Sequence, residues 1–338
     1  MPKRRIKKKL TAFGLVLKKH NMTIKQIFDL ATKMGIDSDL RGKAAVLKML
    51  KHKKEQYEKL SKEQKEEYDL EALTNPYLDS RIHFDSGKTP IKKILAGIDM
   101  EGDEIFLADR LGADLVLAHH PRGKALTDLA DVMHLQADVY AQYGVPINVA
   151  EAVQQSRIEE VARGVNPVNH YRPIDIARLL KISYLNIHTP CDNLVANFLK
   201  KKITAAKPEY VGEILKLLKE IPEYTEAIKQ GAGPRLFAGH PENHCGKVAV
   251  TEITGGTEPS AKIYEKLAQA GVGTIIGMHQ SEEHKKEAEA AHINVIIAGH
   301  MSSDSLGMNL FLDELEKRNA EIIPCSGLIR VKRFKSKK

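Results

Sequence analysis

The sequence has no tryptophan and only three cysteines in 338 residues, Cys191, Cys245 and Cys325. Widely spaced and odd in number, they argue against a disulfide framework. A reducing cytoplasm is therefore the expected location. Long apolar runs are missing too. Nothing approaches the ~20 residues needed to span a bilayer, so no membrane association is expected. The short apolar stretch Leu10 to Leu17 runs straight into Lys18 and Lys19, which does not fit a signal peptide. Acidic residues are scarce at the start of the chain. Residues 1–60 carry 17 Lys and Arg against 5 Asp and Glu, which leaves 35 against 39 for the rest. The net charge of +8 thus belongs to the N-terminal segment. That asymmetry suggests either a solvated basic arm or a small helical module that docks nucleic acid or an acidic partner. The runs Lys3 to Lys9 and Lys332 to Lys338 would attract phosphates without reading bases. No base-reading motif accompanies them.

What is present is a change of pattern. Residues 1–85 read as a basic helical extension. Thr23 is placed to cap a helix bearing Ile24, Ile27, Leu30, Ala31 and Met34, which Gly35 would end. A second helix is expected over 41–57 and a third behind Ser61, followed by linkers at 74–76 and 85–87. From about residue 92, short apolar runs alternate with amphipathic stretches. Strands are expected at 94–98, 115–118, 145–149, 183–187, 248–253, 274–276 and 295–298. Helices are expected at 103–111, 126–143, from 193, at 258–269, at 282–291 and from 303. Such alternation predicts an α/β protein whose sheets are covered by helices. The expected organisation is a first α/β half at 88–203, a less regular middle segment at 204–245, and a second α/β half at 246–332.

Three of these strands end in chemistry-bearing clusters. The strand at 115–118 runs into His119-His120-Pro121, the strand at 183–187 into His188-Thr189-Pro190-Cys191-Asp192, and the strand at 295–298 into Gly299-His300 with Asp304 four residues on. The carboxyl ends of sheet strands are where α/β proteins place ligands. Each cluster alone has a plain alternative. HHP can be an exposed turn, and Asp192 or Asp304 can serve a helix N-terminus. Together, His119, His120, Asp192, His300 and Asp304 offer three imidazoles and two carboxylates. That set suits Zn, Mn, Fe, Ni or Co and is large enough for two divalent ions. Asp99 ends the first strand and can support the site. His188 is open to three roles: ligand, partner to a ligand, or proton donor. His188 and Asp99 are therefore the candidate general acid or base.

The segments AGIDMEGDEIFLADRLGADLVLAHHP, IHTPCDN and INVIIAGHMSSDSLGMN resemble the Nif-three-like (NGG-one-interacting-factor-three-like) family, whose members are often labelled GTP cyclohydrolase I type 2. The resemblance covers roughly residues 88–332, with an interruption in the middle. It implies a dinuclear metal centre whose ligands fall on His119, His120, Asp192, His300 and Asp304. It also implies a toroidal homohexamer, a trimer of dimers, with those centres facing inward. Two departures stand out. The family usually has Glu where this chain has Asp304, and commonly has an apolar residue where this chain has Arg122. The function expected is a metal-dependent hydrolase acting on a nucleotide or phosphoester. A non-catalytic metal-handling protein and a nucleic-acid-associated scaffold are the alternatives.

Three further motifs stay open. His240-Pro-Glu-Asn-His244-Cys245 is either a separate metal site or a loop. His279 and His284 are placed to line the same pocket as the ligands. Thr254-Gly255-Gly256-Thr257 is either an anion-holding turn or an ordinary glycine turn.

Overall fold

The computed structural model describes residues 22–334. The basic runs at 3–9 and 335–338 lie outside them. Among the described residues, nine strands form two sheets. They are β1 (Arg81–Phe84), β2 (Lys93–Gly97), β3 (Leu115–Ala118), β4 (Ser183–Asn186), β5 (Arg235–Ala238), β6 (Lys247–Glu252), β7 (Val272–Gly277), β8 (Asn294–Ile297) and β9 (Glu321–Pro324). The first sheet has the order β1-β4-β3-β2-β9 and the second β5-β8-β7-β6. Pairing is parallel except at β1 and β5, which lie antiparallel on the outer edges. Strands β2, β3, β4, β7 and β8 bury nearly every residue, as parallel strands covered on both faces must.

Register places the site. Gly97 pairs with Ala118, and Ala118 with Asn186, so β2, β3 and β4 end level. Gly277 pairs with Ile297, so β7 and β8 also end level. Two helices leave these edges. Thr189–Ala206 follows β4 and His300–Glu316 follows β8. They pack closely at Gly307, where an added Cβ would lie 2.4 Å from the Cys191 carbonyl oxygen. Only glycine fits that approach.

The helix Ile24–Ser38 is capped at Thr23 by a reciprocal box with Gln26. It buries Ile24, Ile27 and Ala31 against Ile94, Leu117, Leu185 and Phe311, so it belongs to the core of the first sheet. Each such fully buried aliphatic side chain is worth roughly 1.5–3 kcal/mol. The next two helices, Lys43–Glu58 and Lys62–Glu67, expose most of their residues.

Several expectations need correction. The strand expected at 145–149 is instead the entry to the helix Ile147–Val165. Pro146 sets the backbone at its N-cap, with Val145 buried just before it and Ala150 buried in the first turn. A run of apolar residues that short cannot tell strand from helix. The helix expected at 126–143 is three short ones, Gly123–Thr127, Leu129–Val132 and His134–Tyr143, with Asp128 leaving helical geometry at ψ 6°. The middle segment is regular after all. It holds the helices Val211–Lys219 and Pro222–Lys229 and contributes β5 to the second sheet. Its Lys and Glu content marks the solvated faces of helices that bury Val211, Ile214 and Leu218. The helix expected over 258–269 starts only at Ile263. The Thr254-Gly255-Gly256-Thr257 turn therefore caps no helix. Its glycines have φ of +95° and +90° and pack on Gln136 and Leu129.

Candidate metal centre

The strand ends converge between the two sheets. β3 delivers His119 and His120. The helix Thr189–Ala206 begins four residues earlier than expected, which puts Asp192 in its first turn. The helix His300–Glu316 likewise opens at His300 and carries Asp304 one turn on, on the same face. All five residues predicted from the sequence meet here. His119 Nε2 lies 3.3 Å from Asp192 Oδ1 and 3.5 Å from Asp304 Oδ1. His120 Nε2 lies 3.3 Å, and His300 Nε2 3.6 Å, from Asp304 Oδ2. Asp304 thus divides its two oxygens between two groups of donors.

The tautomers are set from behind. His119 Nδ1–H donates to the Ile187 carbonyl at 3.0 Å. His120 Nδ1–H donates to Asp99 at 2.8 Å. His188 Nδ1–H donates to Asp79 at 2.7 Å. In each ring the remaining Nε2 faces the cluster, the orientation a metal-ligating histidine needs. His188 stands over the centre, its ring 4.9 Å from that of His119, with Nε2 3.8 Å from Asp192 Oδ2. Asp99 holds His120 and is itself bound by Arg122 at 3.2 Å, so it stands behind the centre.

The donor atoms fit a divalent ion. His119 Nε2, Asp192 Oδ1 and both oxygens of Asp304 are buried and make no hydrogen bond. Buried polar atoms left that way are costly unless something else binds them. The edges of a coordination polyhedron run roughly 3.0–3.4 Å for bonds of ~2.1 Å; the two 3.3 Å separations fall within that range, and those of 3.5 and 3.6 Å lie just beyond it. Electrostatics agrees. Burial alone would raise the Asp304 carboxyl, yet His119, His120 and His300 hold it far below the usual carboxylate range. Burial would lower His119, yet Asp304 and Asp192 hold it well above the usual imidazole value. The buried Asp304 carboxylate therefore draws positive charge to itself. Among the described residues, the groupings of His, Cys, Asp and Glu close enough to share an ion draw only on His119, His120, His188, Asp192, His300 and Asp304.

The other motifs fall elsewhere. His240 and His244 are exposed, His244 stacks on Tyr210, and Cys245 is buried with its thiol on the Pro208 carbonyl. His284 is buried between Ser281 and the Pro259 carbonyl, away from the cluster. His279 does reach it, with its ring edge-on to His300 at 5.1 Å and Nδ1 3.0 Å from Glu258. Sequence reasoning missed Asp79, which lies in a stretch passed over between the expected linkers. It is fully buried, accepts from His188 and Thr189, and nothing in its local pattern marks it.

One glycine controls the second ligand pair. Gly299 has φ +105°, and an added Cβ would lie 2.6 Å from Ser302 Oγ and 2.8 Å from the Ala232 carbonyl oxygen. Gly299→Ala should cost about 2 kcal/mol or more in denaturant unfolding. It should also lower bound metal by displacing His300 and Asp304. Unchanged stability and metal content would contradict this account of the turn.

No protein-family profile matches the sequence, and no curated protein sequence matches it. Solved structures do match. The chain is similar to a NIF3 superfamily protein from Sphaerobacter thermophilus, at 24% identity and a TM-score of 0.69, covering 91% of this chain and 99% of that one. It is also similar to reduced HcgD from Methanocaldococcus jannaschii, at 17% identity and a TM-score of 0.44, over 72% and 87% of the two chains. A Bacillus cereus protein related to NIF3 aligns at 12% identity and a TM-score of 0.41, over 76% and 93%. The first of these shows the fold: two helix-covered sheets, as the resemblance implies.

Proposed function

We propose that this chain, which has the NIF3 fold, is a Nif-three-like protein binding two divalent metal ions and using them to hydrolyse a nucleotide or phosphoester. The observation that carries the reading is the division of Asp304. One oxygen faces His119 and Asp192, and the other faces His120 and His300. A carboxylate so placed suits a bridge between two ions, and the shorter Asp side chain reaches both sets from its helix. When bound, a pair of such ions makes water nucleophilic near neutral pH and draws charge from a substrate oxygen.

The chain's own residues do the rest. Asp99 and the Ile187 carbonyl orient the imidazoles of His120 and His119. Asp79 holds His188 with Nε2 toward the centre, where it can give or take a proton. Arg122 is paired with both Asp99 and Glu101, so it steadies the carboxylate that holds His120. Zn, Mn, Fe, Ni and Co all fit the donor set.

A homohexamer with the centres facing inward, and a cytoplasmic location, complete the proposal on the resemblance. Exposed Phe106, Leu107 and Leu179 offer apolar surface for assembly. No helix among the described residues is long and apolar enough to cross a membrane.

Elemental analysis beside a turnover screen tests the reading. Purified protein should carry about two ions per chain and hydrolyse at least one phosphoester or nucleotide with Mn, Zn or Co. His119→Ala should abolish that turnover. Full activity in the variant would sink the hydrolase reading. Stoichiometric metal without turnover across a broad panel would favour metal handling instead.

A further inference from the structure

A second polar feature adjoins the centre. A narrow pocket runs from Asp192 toward the second sheet, lined by Glu252, Thr254, Thr257 and His279. It is partly open to solvent and has room inside for about one water-sized group, such as a single nitrogen. Glu252 ends β6 there and is 7% exposed. Its Oε2 accepts from the Tyr264 hydroxyl at 3.2 Å, while Oε1 is buried with no partner. Among the described residues no Lys or Arg pairs with it, and the nearby Tyr140 hydroxyl and Gln280 amide also lack partners there.

A buried, unpaired carboxyl is expensive. Here β6 places one in a pocket that borders a candidate ligand, Asp192. His279, on the pocket wall, leans on another, His300. We propose that this pocket is the specificity subsite of the metal centre and that it takes an N–H donor end of the substrate, an amino, amidine or guanidine group, on Glu252. The assignment rests on the reading of the cluster as a metal centre. A nitrogen group suits better than a hydroxyl, because it brings several N–H donors and can bring the positive charge that Glu252 lacks. The rest of the molecule would then lie at the mouth, beside the metal ligands.

Burial pushes the Glu252 carboxyl up to about 7, with Tyr264 and His279 pulling it back and Glu258 adding to the rise. Besides these, the phenol of Tyr140 faces it. A bound donor would shift the balance toward the carboxylate.

The test uses guanidinium chloride at millimolar concentration as probe and tetramethylammonium chloride, a cation without N–H donors, as control. Protein labelled with ¹³C in the Glu side chains is titrated metal-free and zinc-loaded, with Glu252 assigned by Glu252→Gln. The expected result is a saturable carboxyl shift with guanidinium alone. Binding, followed through the Thr254 and Thr257 amides, should weaken at least tenfold in Glu252→Gln while zinc content stays unchanged. An unsaturable response, an equal response to tetramethylammonium, or undiminished binding in the variant would overturn the proposal. If zinc fails to bind at all, the metal reading falls separately, and the metal-free titration still decides whether Glu252 takes such a group.

Discussion

Asp304→Asn should remove both metal ions, taking occupancy from about two per chain to well under one. The substitution keeps the shape of the side chain and the fold of the helix that carries it. It removes one negative charge from a fully buried position and places an amide N–H₂ where a carboxylate oxygen now faces imidazole Nε2 atoms. An N–H₂ cannot bind a cation, so one set loses its donor outright and the other loses its charge. Removing one partner from a buried charged cluster costs about 3–5 kcal/mol. At ~1.4 kcal/mol per decade, that is on the order of a thousandfold in affinity. His300→Ala should behave differently. It touches only the Oδ2 set and should leave about one ion on His119, Asp192 and Asp304. Elemental analysis of the two variants beside the parent separates the cases. Two ions retained in Asp304→Asn would show that the carboxylate does not bridge.

The metal-free protein should lose stability as pH rises, and Glu252→Gln should remove part of that loss. The Glu252 carboxyl is raised from 4.5 to about 7 by burial. Below pH 4.5 it is protonated in both the folded and the unfolded chain, and contributes nothing to the slope. Between about 4.5 and 7 the unfolded chain ionises it while the fold keeps it neutral, so folding becomes less favourable with each step. Above 7 the full penalty stands, about 3 kcal/mol from ~1.4 kcal/mol per unit. The variant changes that side chain alone, so the difference between the two curves reports on Glu252. Urea unfolding at pH 5 and pH 8 measures it. Parallel curves for parent and variant would contradict the burial argument. This effect sits on the fold alone and does not depend on any ligand.

The candidate centre was far more legible than its surroundings. His119-His120, Asp192 and His300 with Asp304 stand at the ends of apolar strands, and strand ends that finish level bring such residues together whatever lies between. The supporting shell carries no such mark. Asp79 sits beside His188 because β1 pairs antiparallel with β4, a long-range contact that periodicity does not reveal. Glu252 looks like an ordinary polar residue closing a strand, and its burial follows from Tyr264 and Tyr140 packing over it. The misread helix at 147–165 shows the same limit. An apolar run behind a proline fits either element until its neighbours decide. The middle segment was obscured by its charges, although its buried Val211, Ile214 and Leu218 keep helical spacing.

The path of the last strand has a consequence for biosynthesis. After completing the second sheet and the helix His300–Glu316, the chain returns to lay β9 beside β2, with Ile322 opposite Ile94. The edge of the first sheet therefore waits for residues made more than two hundred positions later. Asp304, common to both groups of donors, lies only 17 residues before that strand. A ribosome-bound chain cannot bring these donors together until the helix His300–Glu316 has left the exit tunnel, however early His119 and His120 emerge. Any metal loading would thereby wait on that helix, and chains that stop before Asp304 would lack the donor common to both groups.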